Sequence, residues 1–230
     1  MTYILEGLKE AFVLIGNLDP EFLRVSWTSL WITGISVSVS AGLSLPAAFL
    51  IETKRFKGKS ALVTVLNTLM ALPTVVVGLL VYSLLCRKGL FGDLGLLYTP
   101  AAMIIGQVIL ASPIITALTV SSLEGADKRI RKTALTLGAT ELQSLMMLAH
   151  EARGLIASAV LAGFGRIFAE VGVSMMLGGN IRNYTRNITT AIAFETSRGE
   201  FALALALGIV LLIFAFSINL LLQLIRKKYV

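Results

Sequence analysis

The chain has 230 residues and a net charge of +7, with 56% hydrophobic and only 14% charged residues. A water-soluble domain carries roughly 25% charged residues because its surface faces water, so this composition, with a mean hydropathy of +0.85, excludes an ordinary soluble globule. One cysteine, one histidine and five prolines exclude a disulfide framework, a His-built zinc site and a Pro-rich scaffold.

The segment 1–19 sets Leu5, Leu8, Phe12 and Ile15 at helical spacing against Glu6, Lys9 and Glu10. This predicts an amphipathic helix lying at the membrane interface. Its acidic residues, and the lack of a basic start before an apolar run, do not read as a cleavable leader.

A helix that spans the bilayer needs about 20 mostly apolar residues at about 1.5 Å rise each. Five segments qualify: 25–51, 60–86, 100–122, 155–177 and 201–225. The expected fold is therefore an all-α membrane protein of five transmembrane helices plus the N-terminal amphipathic helix, in a single domain over 1–230. In the first span Ser36, Ser38, Ser40 and Ser44 follow Thr33 and Gly34. Such small residues either let helices approach closely or line a path. Pro46, Pro73 and Pro113 interrupt spans, where a freed carbonyl is tolerated if it faces protein or a cavity. Asn67 and Thr68, just before Pro73, make the second span the best candidate for a kinked, pore-side helix. Gln107 in the third span is either a further pore residue or an interhelix hydrogen-bonding group.

Spans three and four are separated by a long segment, 123–154, that is basic and ordered in pattern. Gly138 divides two short helices, and Thr140 is placed to cap the second. The pair either lies against the membrane or docks a soluble partner. The fourth span carries Arg166 and Glu170, four apart and so on one helix face. Ionisable groups in hydrocarbon pair or face the bundle interior, so they form either a structural ion pair or part of a gate. The segment 178–192 that follows is polar and positive and is expected to lie outside, where it suits either an anion approaching a pore mouth or any exposed loop.

Lys and Arg in short loops set orientation. Twelve lie in 52–59, 123–154 and the C-terminal tail, against seven on the other side. This puts the C-terminus and the 123–154 loop in the cytoplasm and the N-terminus outside. The positive charge is then mostly topology, and no nucleic-acid partner is expected. No G-x-x-x-x-G-K-[ST] loop is present, so the chain is not expected to bind ATP or act as an enzyme.

The stretch Lys132-Thr133-Ala134-Leu135-Thr136-Leu137-Gly138-Ala139 resembles the coupling-loop signature of ATP-binding-cassette importer permeases, with Ala134 and Gly138 matching and Lys132 standing where the family has a glutamate. Leu161-Ala162-Gly163-Phe164-Gly165-Arg166, Glu170-Val171-Gly172, Met175-Met176-Leu177-Gly178-Gly179-Asn180-Ile181 and Thr185-Arg186-Asn187-Ile188-Thr189-Thr190-Ala191-Ile192 resemble the tungstate-type permeases of the molybdate and tungstate group. The resemblance implies a MetI-like permease fold in the cell membrane and a homodimeric pore. It also implies two cytoplasmic ATPase subunits that bind ATP and Mg, and an extracellular tungstate- or molybdate-binding protein. It makes 123–154 a coupling loop, with Lys128, Arg131, Lys132, Ala134, Gly138, Ala139 and Glu141 at the ATPase contact. Asn67, Thr68, Pro73 and Gln107 within the pore, and Asn180, Arg182 and Thr185 near its outer mouth, are the candidate path for an oxyanion; Arg166 and Glu170 are the candidate gate. Permeases for another oxyanion such as sulfate, or an ion-coupled secondary transporter, are the alternatives.

Overall fold

The computed structural model describes residues 2–17, 20–54 and 56–229; Arg55 and the side chains of Ile15, Lys128, Arg226, Lys227 and Lys228 lie outside the described residues. All the regular elements among them are helical. Helix α1 (Thr2–Gly16) packs along the C-terminal helix, where Gly7 approaches Leu205 so closely that a Cβ would sit 2.6 Å from its Cδ2.

Helix α2 (Pro20–Thr53) is the first span. Its buried positions, among them Val25, Ser29, Ile32, Ser36, Ser40 and Ser44, form one stripe at helical spacing. That stripe is largely small and polar, where a soluble helix would bury Leu and Ile. Lipid is as apolar as leucine, so close approach rather than hydrophobicity decides which face turns inward. The stripe packs on α5 (Pro100–Gly125), and Ser44 Oγ donates across to the Ser112 carbonyl at 3.1 Å. Ser36 Oγ turns back to the Ile32 carbonyl at 2.7 Å. Pro46 and Pro113 lie inside α2 and α5 without ending either helix.

The second span is broken rather than kinked. Helices α3 (Lys59–Met70) and α4 (Thr74–Leu85) meet at 96°. Pro73 lacks an N–H and disfavours helical backbone at Leu72, so α3 stops before it and α4 restarts after it. Beyond α4 a loop containing a single 3₁₀ turn (Gly92–Leu94) leads to α5.

Next come α6 (Lys128–Thr136) and α7 (Glu141–Glu151), then α8 (Arg153–Phe168), which leaves α7 at 71°. The fourth span, expected to be continuous over 155–177, ends at Phe168 and resumes as α9 (Gly172–Gly178). Glycines set its contact with α5. Cβ atoms at Gly163, Gly106 and Gly178 would fall 2.7 Å from Ile115 Cγ1, 2.4 Å from Val173 Cγ1 and 2.6 Å from Met103 Sδ. Of residues 178–192, expected to lie outside, Gly179 and 181–184 are exposed. Thr185 and Asn187–Ala191 are buried, and Ile188 opens a further helix, α10 (Ile188–Ser197), before α11 (Phe201–Tyr229) forms the last span. Three helices are each long and apolar enough to cross a membrane, α2, α5 and α11, and the two bent pairs raise the number to as many as five.

Ion pairs at the helix ends sort the molecule into two faces. Lys59 at the start of α3 meets Glu52 of α2 at 2.5 Å and Glu124 of α5 at 3.6 Å. The α6–α7 pair lies against this Glu124 face, where Leu148 and Ala152 pack with Leu123 and Phe49. At the opposite face Glu21, in the first turn of α2, pairs with Arg182 and with Arg186 at 3.5 Å. The Tyr98 amide there donates to the Leu177 carbonyl at 2.8 Å, joining the start of α5 to the end of α9. Between these two faces run α2, α3–α4, α5 and α8–α9, which with α11 makes up to five crossings among the described residues.

Candidate translocation path and coupling surface

The two broken spans meet at their breaks. A Cβ at Gly172, the first residue of α9, would lie 3.3 Å from Thr74 Oγ1, 3.2 Å from Val75 Cγ2 and 3.3 Å from Glu170 Oε1. A side chain there would have to push these neighbours aside by a few tenths of an ångström, so glycine suits the close start of α9 against the first turn of α4. Glu170 holds this junction together and is 4% exposed. Its Oε2 accepts from Arg166 Nη1 at 2.9 Å and its Oε1 from the Val173 amide at 3.2 Å. One carboxylate thus neutralises the charge on α8 and caps α9.

A third element closes on the same point. Thr189 Oγ1 reaches the Glu170 carbonyl at 2.9 Å and, at the same distance, Asn187 Oδ1. Asn187 Oδ1 also accepts from the Thr190 amide, and the Thr190 hydroxyl accepts from the Asn187 amide, a reciprocal box that starts α10. The Ile188 amide donates to Ser29 Oγ of α2 at 2.8 Å. Ser29 lies nine residues after Pro20, about 14 Å along the helix at about 1.5 Å per residue. The segment 186–190 therefore dips from the Glu21 face into the apolar layer. From Asn187 to Thr190 its side-chain polarity is spent on partners within the protein, as burial in a membrane demands.

The candidate path residues fall into three environments. Asn67 and Thr68 are exposed on α3, a helix with no buried residue, and the Thr68 hydroxyl turns to the Thr64 carbonyl at 2.9 Å. Pro73 is exposed beside the junction as the N-cap of α4. Gln107 is 1% exposed inside the bundle, with Oε1 unpartnered among the described residues. At the Glu21 face Asn180 takes a positive φ of 51° and buries an unpartnered Oδ1. Arg182 is exposed and forked onto Glu21, a bond that raises its pKa above the ordinary guanidinium value. Thr185 is fully buried, accepting from the Ile181 amide and donating to the Gly178 carbonyl. Beside these, Tyr82 and Tyr98 stand edge to face at 6.4 Å between cavities of about 650 and 510 Å³, and hydrogen bonding to Tyr82 raises the Tyr98 pKa. Thr74, Asn187 and Thr189 are functional candidates that sequence reasoning did not select. The only available signal was Asn187-x-x-Thr190 ahead of an apolar run.

On the opposite face α6 and α7 form a compact hairpin. Gly138 (φ 87°) ends α6; its amide donates to Leu135 O and that of Ala139 to Ala134 O, the Schellman arrangement. Thr140 and Gln143 form the capping box of α7. Arg131 and Glu141 tie the two helices at 2.6 Å, and Ala134 is buried between them. Lys132 is exposed and Ala139 half-buried. Leu137, Leu142, Met146 and Met147 are all exposed, Leu137 by 82% at the hairpin tip.

Residues 41–230 match the family described as binding-protein-dependent transport system inner membrane component. The chain belongs to that family. It is 37% identical over 95% of its length to the tungstate uptake system permease protein TupB of Peptoclostridium acidaminophilum, of which the match covers 96%. It is 28% identical over 79% of its length to the molybdenum transport system permease protein ModB of Escherichia coli, covering 83% of that protein. Among solved structures, the MetNI methionine ABC transporter in an inward-facing form superposes with a TM-score of 0.74 at 17% identity, covering 91% of this chain and 96% of that one. The fold is thus that of an ABC importer permease, and the chain is a multi-pass, non-catalytic pore component of such a system.

Proposed function

We propose that this permease carries tungstate inward across the cytoplasmic membrane, with molybdate as a secondary substrate. The observation that carries the choice is the 37% identity over nearly the whole chain to a tungstate permease, against 28% over a shorter stretch to a molybdenum permease. The pore is a homodimer whose two copies oppose the exposed faces of α3 and the junction of the broken spans. Asn67, Thr68, Pro73 and Gln107 belong to the path, Asn180, Arg182 and Thr185 to its outer mouth, and the Arg166–Glu170 pair to the gate.

The Glu124 face is cytoplasmic and the Glu21 face external, as the bias of Lys and Arg requires. A loaded extracellular binding protein docks on the Glu21 face. Two cytoplasmic ATPase subunits, which hold ATP and Mg, receive the α6–α7 hairpins. The exposed Leu137, Leu142 and Met146 give that contact an apolar centre. Arg131, Lys132 and Glu141 surround it, Lys128 belongs to the same contact, and Ala134, Gly138 and Ala139 shape the turn.

Reconstitution of the permease with its ATPase and binding protein in liposomes tests this. The expected result is ATP-dependent uptake of tungstate that molybdate reduces and excess sulfate does not. Uptake of sulfate alone, or tungstate movement driven by an ion gradient without the ATPase, overturns the proposal.

A further inference from the structure

We propose that Arg166 is a charge-balanced station for the oxyanion inside the membrane; this rests on the reading of the chain as an oxyanion permease. The Arg166 side chain is 41% exposed, whereas that of its partner Glu170 is 4% exposed. Only Nη1 bonds the carboxylate. α9 is seven residues long, so Glu170 lies about 10 Å below the Glu21 face, and Arg166 about one turn deeper, near the centre of a hydrocarbon layer about 30 Å thick. A half-exposed cation at that depth does not face lipid, because ionisable groups within spans turn to the bundle interior or a water-filled path. The open side of Arg166 therefore faces the path.

Two further features fit an anion there. α4 starts at the same junction with Pro73 as its N-cap and no side-chain cap bond; the Val76 amide turns back to the Pro73 carbonyl at 3.0 Å, which leaves the Thr74 and Val75 amides and the Thr74 hydroxyl as donors. Thr74 Oγ1 and Glu170 Oε1 lie the same 3.3 Å from the point a Gly172 Cβ would occupy, which sets those donors beside the ion pair. The pair also answers how a strong donor avoids trapping its cargo. A guanidinium presents a planar fork suited to a tetrahedral oxyanion. Glu170, fixed by Arg166 and the Val173 amide, keeps the local charge near zero, so the anion is recognised by hydrogen bonds without being held by an uncompensated charge. The ligand class is a tetrahedral group-six oxyanion, and the contact is transient.

The test uses the complete complex with its ATPase and binding protein in liposomes, and tungstate as the probe. Arg166→Gln, Arg166→Lys, Glu170→Gln and the double variant Arg166→Gln/Glu170→Gln are compared for tungstate moved per ATP hydrolysed. If Arg166 served only to neutralise Glu170, removing both charges would restore transport. We expect the double variant to stay at least about 10-fold below wild type, the scale of losing one charge-assisted hydrogen bond, and Arg166→Lys to retain more than Arg166→Gln. Glu170→Gln leaves the cation uncompensated and is expected to raise the tungstate retained by the purified, nucleotide-free complex. Wild-type transport by the double variant, or no added retention in Glu170→Gln, overturns the station. Failure of the wild-type complex to move any oxyanion instead overturns the substrate reading, and the station's ligand with it.

Discussion

At the scale of single residues, the positions that matter most are those where a backbone has no alternative. Gly138 holds a φ of 87° and delivers two amides to the end of α6. A Cβ there costs about 1–2 kcal/mol, because the left-handed conformation brings it against the following carbonyl. Gly138→Ala is therefore expected to loosen the hairpin without unfolding the bundle. Hydrogen–deuterium exchange should quicken at the Gly138 and Ala139 amides and stay unchanged in α5; unaltered exchange at the turn would count against the Schellman assignment. This turn was legible in the sequence, since a glycine followed by Thr140-x-x-Gln143 carries both a helix stop and a helix start. Thr74 was not. Its importance depends on Gly172 lying beside it, and no local pattern links residues so far apart in the chain.

At the scale of elements, hydropathy located the spans and missed their breaks. Pro73 announced an interruption, but a 96° turn requires α4 to find α9 as a packing partner, a tertiary fact. Arg166 and Glu170 announced a costly pair, yet nothing in their spacing says that the carboxylate also caps the next helix. The segment 178–192 shows a related limit of composition: polar residues ordinarily mean exposure, as at 181–184, but from Asn187 to Thr190 hydroxyls and amides satisfy one another in the interior. Asn187 shows how much rests on one such group. Its side chain starts α10 and holds Thr189, which in turn holds the Glu170 carbonyl. Asn187→Ala removes an N-cap typically worth about 1 kcal/mol and leaves the Thr190 amide buried without its acceptor, so a total loss of about 2 kcal/mol is expected. A fall in the thermal midpoint of the detergent-purified permease checks it, with Asn67→Ala, on the exposed face of α3, as a variant expected to leave the midpoint unchanged.

At the scale of the whole molecule, up to five crossings of one layer leave two faces. The ion pairs of Lys59 with Glu52 and Glu124, and of Glu21 with Arg182 and Arg186, fix which chain segments share a face, independently of any count of basic residues. On the proposed orientation the Glu124 face meets the cytoplasm, because twelve Lys and Arg fall in 52–59, 123–154 and the C-terminal tail and seven in the other segments. The proposed orientation thus joins a grouping of chain segments by contact with a direction set by composition. Labelling in intact cells or right-side-out vesicles tests the joint result. The single native thiol, Cys86, is removed as Cys86→Ser, and a new one is placed at Asp93→Cys, in the exposed loop before α5, or at Leu137→Cys, at the tip of the hairpin. A membrane-impermeant maleimide added outside should modify the Asp93→Cys variant and leave the Leu137→Cys variant unreacted until the membrane is opened. The reverse pattern would invert the orientation. Reaction of both from outside would break the five-crossing path itself, because it would put the loop between α4 and α5 on the same side as the hairpin that follows α5.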